Sequence, residues 1–349
     1  MQQVNSLVND AIDVHCHGVG RFDFTETAGL HFLEIENILA SRHHHSILTL
    51  YLPENNFDDF LNGMQSFSVG KEAGLYPHIS GISLEGPLLA SHGGTPKIGV
   101  WSPSKEQWQR LSECGKLGLL YVIFSPDAPA ADITWITETL LQGGVLPAAG
   151  HFSKENPLNS AKKLQSIYDV VASFGECPTI TDHLYNDMPH NFKHAWRLQD
   201  GKQRAAELEA LHLESWTLDN MDEKLGPVPA TMIRNALKGI VKIALNFDGE
   251  HVDLAVCKKT VELVGAENML MMTDSIESKK LAGRQLHMQS GSTLLYQDEG
   301  VVAAGSQGVA HQIKNMENIG LSHDEIKMIV SLNPRYLLSK RQQYVYAEK

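Results

Sequence analysis

The stretch AIDVHCHG, residues 11–18, is the first of eight short apolar runs along the chain, and how it is read decides the fold. Read as a strand, it points His15 and His17 to one face, because strand side chains alternate with a period of two. Cys16 then faces the other way, into packing. Seven more runs follow: SILTLYL (46–52), ISGISLEG (79–86), LLYVIFSP (119–126), VLPAAGHF (145–152), TITDHLYN (179–186), IVKIALNFDG (240–249) and NMLMMTDS (268–275). Amphipathic stretches such as FLEIENILASRH, SKEQWQRLSECGKL, ITWITETLLQGG and VDLAVCKKTVELVG lie between them. Strands alternating with helices predict a parallel sheet, and eight such units predict an α/β fold closed as a (β/α)8 TIM barrel.

One barrel domain over 1–349 is expected, with a helical insertion at about 187–239 and C-terminal helices at about 307–340. The segment GSTLLYQDEGVVAAGS, after the eighth run, reads as a hairpin over the barrel mouth.

Composition narrows the function. The 349 residues are 42% hydrophobic and 20% charged, with a net charge of −12 and no basic run to coat nucleic acid or anionic lipid. Neither a nucleic-acid partner nor a membrane is expected. The four cysteines form no CxxC pair and read as reduced thiols. The start, MQQVNSLVND, lacks the pattern of a secretory signal, and no apolar run is long enough to span a bilayer, so a cytoplasmic protein is expected.

The polar residues concentrate where barrel enzymes carry their chemistry, at the C-terminal ends of the strands. His15, His17, Glu85, His151, His183, Asp248 and Asp274 all fall there. Glu85, His151 and His183 make a three-ligand set of the kind that leaves a position open for water. Asp274 is placed to take a proton from such a water and pass it to a leaving group, or else to orient a ligating histidine. His251 either polarises a carbonyl or is a loop histidine. Asp248 reads as a brace for the turn at Gly249. The run His43–His45 reads as a solvated helix end, and SHGGTPKIG (91–99) as a mobile loop.

The segments DVHCHG, SLEGP, GHFSKE, DHLYNDMP, FDGEHV, MMTDS, AGS (304–306) and NPRYLL (333–338) together resemble those of N-acetylglucosamine-6-phosphate deacetylases of the amidohydrolase superfamily, in the same order and over nearly the whole chain. The resemblance implies Glu85, His151 and His183 as ligands of the main metal and Asp274 as the catalytic acid/base. It implies His15 and His17 as ligands of a second ion where one is present, and Asn186 and His251 as substrate contacts. The implied cofactor is one or two divalent ions, zinc foremost, with iron or another divalent ion as alternatives. The implied partners are a small-molecule N-acyl amino sugar or related amide and a second copy in a homodimer.

Some positions depart from that pattern. Only about ten residues precede the first run, so the family's accessory β-sandwich is expected to be lacking. Ser83 and Asp182 stand where relatives carry histidine and threonine. Asp187 replaces an alanine beside the substrate asparagine, where it is expected to contact substrate, and adds a carboxylate that repels phosphate. Metal-dependent amide hydrolysis is therefore the better supported reading, with a cyclic amidase or deaminase, or a catalytically silent ligand-binding barrel, as alternatives.

Overall fold

The computed structural model describes residues 2–27, 31–129, 131–188 and 201–346. Each of the eight apolar runs contains a parallel strand: β1 Ile12–Cys16, β2 His45–Leu50, β3 Ile79–Glu85, β4 Leu119–Phe124, β5 Leu146–Ala149, β6 Thr179–Ile180, β7 Val241–Asn246 and β8 Met269–Met272. Strands β1 to β5 pair in order as one curled sheet, and β6 to β8 as a second. A single bridge, Ala149 to Thr181, links the two at one side. At the other, past the strand ends, Asp274 N donates to His15 O (3.0 Å) and His17 N to Ser275 O (2.9 Å).

These strands are buried on both faces, as a parallel sheet covered by helices requires. All six residues of β4, LLYVIF, are buried. Four of the described helices between strands start on side-chain caps. Ser104 forms a capping box with Gln107, Asn156 caps a helix opened by Pro157, and Asp253 caps Leu254–Val264. Their apolar faces join the strands in one continuous core that runs from Leu7 to Leu337.

The stretch 187–239 carries the helices Gly201–Ala210, Met221–Lys224 and Pro227–Leu237, while 189–200 lie outside the described residues. Toward the C-terminus are Val309–Asn318, His323–Lys327 and Asn333–Tyr346, the last two joined by a π-turn at Met328–Leu332. Among the described residues, no helix is long and apolar enough to cross a membrane.

Short antiparallel strands follow β8. β9 Lys280–Leu281 pairs with β10 Arg284–Gln285, and β11 His287–Met288, β12 Leu294–Tyr296 and β13 Val302–Gly305 form a three-stranded sheet. The expected hairpin is the β12–β13 pair. Gly305 N donates to Asp274 O, and Ile276 N donates to Gly305 O (3.0 Å), which ties this sheet to the end of β8.

Candidate metal centre

Every strand but β2 and β4 delivers expected ligands or substrate contacts to the same end of the two sheets, near or beyond its C-terminal residue. His15 and His17 come from β1, Glu85 is the last residue of β3, His151 follows β5, His183 and Asn186 follow β6, His251 follows β7 and Asp274 follows β8. All are buried. Three of the residues here hold left-handed backbone: His151 (φ +51°), Asp187 (φ +43°) and Asp274 (φ +48°). Non-glycine residues rarely adopt this conformation, and it gathers at functional sites.

Glu85 sits at the centre. Its Oε2 lies 2.9 Å from His15 Nε2 and 3.0 Å from His17 Nε2, while its Oε1 lies 2.6 Å from His151 Nε2 and 3.9 Å from His183 Nε2. The two oxygens thus face two donor sets. One is His15, His17, Glu85 and Asp274, with Asp274 Oδ1 3.2 Å from His17 Nε2. The other is Glu85, His151, His183 and Asp182, a residue not expected as a ligand.

The outer nitrogens of two histidines are engaged. His17 Nδ1 lies 3.2 Å from Thr49 O, and His151 Nδ1 lies 3.1 Å from Ser91 O. A carbonyl can only accept, so Nδ1 donates its proton outward, which leaves the inward Nε2 as the atom a metal would take.

The electrostatics ask for a cation. Three carboxylates, Glu85, Asp182 and Asp274, are buried together, and buried charges must be paired or bound to metal. Burial acts against the charged form of every group here. For His17, Asp274 and Glu85 outweigh it and hold the imidazole at about 10; for His183, Asp182 and Glu85 hold it at about 9. Burial raises Glu85, but its bonds to His15 and His151 hold it well below the usual carboxylate range. Asp182, by contrast, is raised by burial, and neither of its oxygens has a hydrogen-bond partner. The donor types, their spacing and this orphaned carboxylate all fit divalent cations.

The site opens on a cavity of about 260 Å³ lined by His183, Asn186, His251, Asp274, Lys154 and Asp187 among others. That is slightly below the ~300–1,000 Å³ usual for small-molecule sites. A neighbouring cavity of about 400 Å³, lined by Lys97, Ile98 and Arg284, carries none of the ligand candidates.

No family model matches the chain. Solved structures do. N-acetylglucosamine-6-phosphate deacetylase from Pasteurella multocida superposes with a TM-score of 0.67 at 17% identity, over 95% of this chain and 77% of that one. A point mutant of the Mycobacterium smegmatis deacetylase, in complex with N-acetyl-D-glucosamine-6-phosphate, gives 0.67 at 18% identity over 95% and 77%. The fold is that of the N-acetylglucosamine-6-phosphate deacetylases. An amidohydrolase from Pseudomonas aeruginosa is more distant, at a TM-score of 0.50 and 10% identity over 99% of each chain.

Within this deacetylase fold, several residues make contacts beyond those the sequence suggests. Asp187, expected to touch substrate, lies on the cavity wall with its carboxylate engaged: Oδ1 is 2.9 Å from Lys154 Nζ and Oδ2 is 3.1 Å from His151 Nδ1. Its carboxyl is held far below the usual range, because His151 and Lys154 outweigh burial. Asp248 braces its turn by accepting from Glu250 N and His251 N, and also holds His251 Nδ1 at 2.6 Å. His251 Nε2 is left buried without a hydrogen bond, 3.4 Å from Asp274 Oδ2. Tyr51, past β2, stacks on His17 and places its hydroxyl 3.0 Å from Nε2.

The segment 91–99 is packed into the site instead of standing off as a loop. Thr95 is buried and donates to Glu85 Oε1 (3.3 Å), and a Cβ on Gly93 would meet Asp187 Oδ2 at 2.8 Å. Of the three consecutive histidines, His43 is a left-handed helix C-cap, His44 is pushed down to about 4 by burial, and His45 starts β2. Among the described residues, neither candidate metal cluster includes them.

Proposed function

We propose that the protein is a metal-dependent amidohydrolase that removes the acetyl group of an N-acetyl amino sugar, its eight parallel strands forming one closed (β/α)8 barrel. The observation that carries this reading is Glu85, shared between two buried donor sets beneath a small cavity, with Asp274 at its edge. Glu85, His151 and His183 would hold the main ion, and His15 and His17 a second. Imidazole and carboxylate donors suit zinc or iron. A divalent ion there supplies Lewis acidity, which brings the pKa of water toward neutrality and polarises a carbonyl.

The chain's own groups supply proton transfer and orientation. Asp274 is ionised, because His17 and the neighbouring imidazoles outweigh its burial. It therefore serves as the base that takes a proton from the attacking water, and then returns it to the departing nitrogen. His251, held at Nδ1 by Asp248, turns Nε2 toward the cavity to meet the carbonyl oxygen or a sugar hydroxyl. Asn186 offers a buried carbonyl oxygen with no partner to the same space.

The wall also favours a substrate without phosphate. Among the described residues lining the cavity, Lys154 is the single lysine or arginine, and Asp187 already pairs with it. The deciding experiment measures acetate release from N-acetylglucosamine and from its 6-phosphate, with metal-loaded and chelator-treated enzyme. Turnover that the chelator abolishes, at least as fast on the unphosphorylated sugar, is expected. Hydrolysis of cyclic imides or aminated rings, with neither sugar cleaved, would overturn the assignment.

A further inference from the structure

We infer that Asp182 is a direct ligand of the ion held by Glu85, His151 and His183, which gives that ion four protein donors and leaves water or substrate to enter as a fifth. This rests on the metal-dependent reading above and goes beyond it in naming a ligand.

Asp182 is a buried carboxylate short of partners. It is 1% exposed, it has no lysine or arginine partner among the described residues, and neither carboxylate oxygen has a hydrogen bond. A carboxylate in that position costs several kcal/mol unless something pairs with it. A role in orienting a histidine does not answer the need. It stands 3.8 Å from the outer Nδ1 of His15, too long for a hydrogen bond, and neither of its oxygens is hydrogen-bonded to any other histidine.

The geometry supplies the missing partner. Asp182 Oδ2 lies 3.4 Å from His151 Nε2 and 3.4 Å from His183 Nε2, and Glu85 Oε1 lies 2.6 and 3.9 Å from the same two atoms. Donors about 2.1 Å from a tetrahedral ion sit about 3.4 Å apart. The backbone opposite is shaped to admit this carboxylate. A Cβ on Gly150 would stand 2.2 Å from Asp182 Oδ2 and 2.5 Å from its Cβ, so any larger residue there would expel it.

The test is a titration of the metal-free full chain with zinc ion, reading the number of ions bound and their affinity. Wild type, Asp182→Asn, Gly150→Ala and Glu85→Gln are compared, and each is also loaded with cobalt(II) to record its visible absorption. Asp182→Asn is expected to weaken one class of site by more than about 100-fold, beyond the ~10–100-fold typical of a residue that only orients a ligand. Its cobalt spectrum should change as well. Gly150→Ala keeps the carboxylate but denies it space, and it should weaken the same site. That second variant decides the matter if Asp182→Asn does not fold.

Unchanged stoichiometry, affinity and cobalt spectrum in Asp182→Asn, while Glu85→Gln loses its ion, would overturn the Asp182 assignment alone. A wild-type chain that binds no zinc, or a Glu85→Gln variant that binds like wild type, would overturn the metal reading and this assignment together.

Discussion

Asp274 shows how one residue combines placement and charge. It stands two residues past β8 on left-handed backbone (φ +48°), where its own carbonyl accepts from Gly305 N and its amide donates to His15 O. Aspartate tolerates this backbone better than most residues, which lets the strand end turn its carboxylate across the mouth. One oxygen faces His17 and the other faces His251 at 3.4 Å. Asp274→Asn keeps the shape and removes the basic oxygen. Turnover is expected to fall by about 10²- to 10⁴-fold, the usual loss for a positioned acid/base. The ion on Glu85, His151 and His183 should stay, as measured by elemental analysis of the same sample. An Asp274→Asn enzyme with most of its activity would remove Asp274 from the proton path.

At the scale of elements, the covering of the site depends on backbone approaching backbone. The 91–99 segment lies against β13, where a Cβ on Gly94 would meet Val302 O at 2.4 Å, and Gln297 Nε2 donates to Gly94 O at 2.6 Å. Glu250, past β7, accepts from Thr293 N (2.8 Å) and its hydroxyl (2.9 Å), which holds β12 from the other side. Gly94→Ala should prise the segment from β13. The expected result is a KM raised several-fold with kcat within about threefold, and a stability loss of about 1–3 kcal/mol, the usual cost of overpacking. Steady-state kinetics and denaturant unfolding check it, and an unchanged KM would show that this contact does not shape the cavity.

The glycines of this segment show where sequence reading stops. Paired glycines suggest slack, yet here they mark tight contact, and only the partner surface reveals which applies. Asp182 was hidden for a related reason. Alternation sends neighbours such as Asp182 and His183 to opposite faces, but β6 ends at Ile180, and the chain then turns both side chains to the centre. Glu85, His151 and Asp274 were legible because each ends a long apolar run, where a polar residue stands out.

Across the whole molecule, the centre joins the two parallel sheets, because β1 and β3 belong to one and the residues after β6 and β8 to the other. Its charge state therefore bears on global stability. Without metal, the carboxylates outweigh burial and hold His17 at about 10 and His183 at about 9, both above the ~6.5 of an unfolded histidine. A raised folded-state value stabilises fully below about 6.5, and that stabilisation is lost as pH rises through about 9 to 10. The metal-free protein should therefore melt at progressively lower temperature from about pH 6.5 upward. Metal works in the opposite sense. An ion must displace those protons, so affinity should climb with pH over the same range, by up to about tenfold per pH unit for each proton released. Melting curves with and without zinc, taken between pH 6 and 10, should diverge as pH increases. A constant gap between them would mean that the ion binds without displacing protons, and that the histidines are not its ligands.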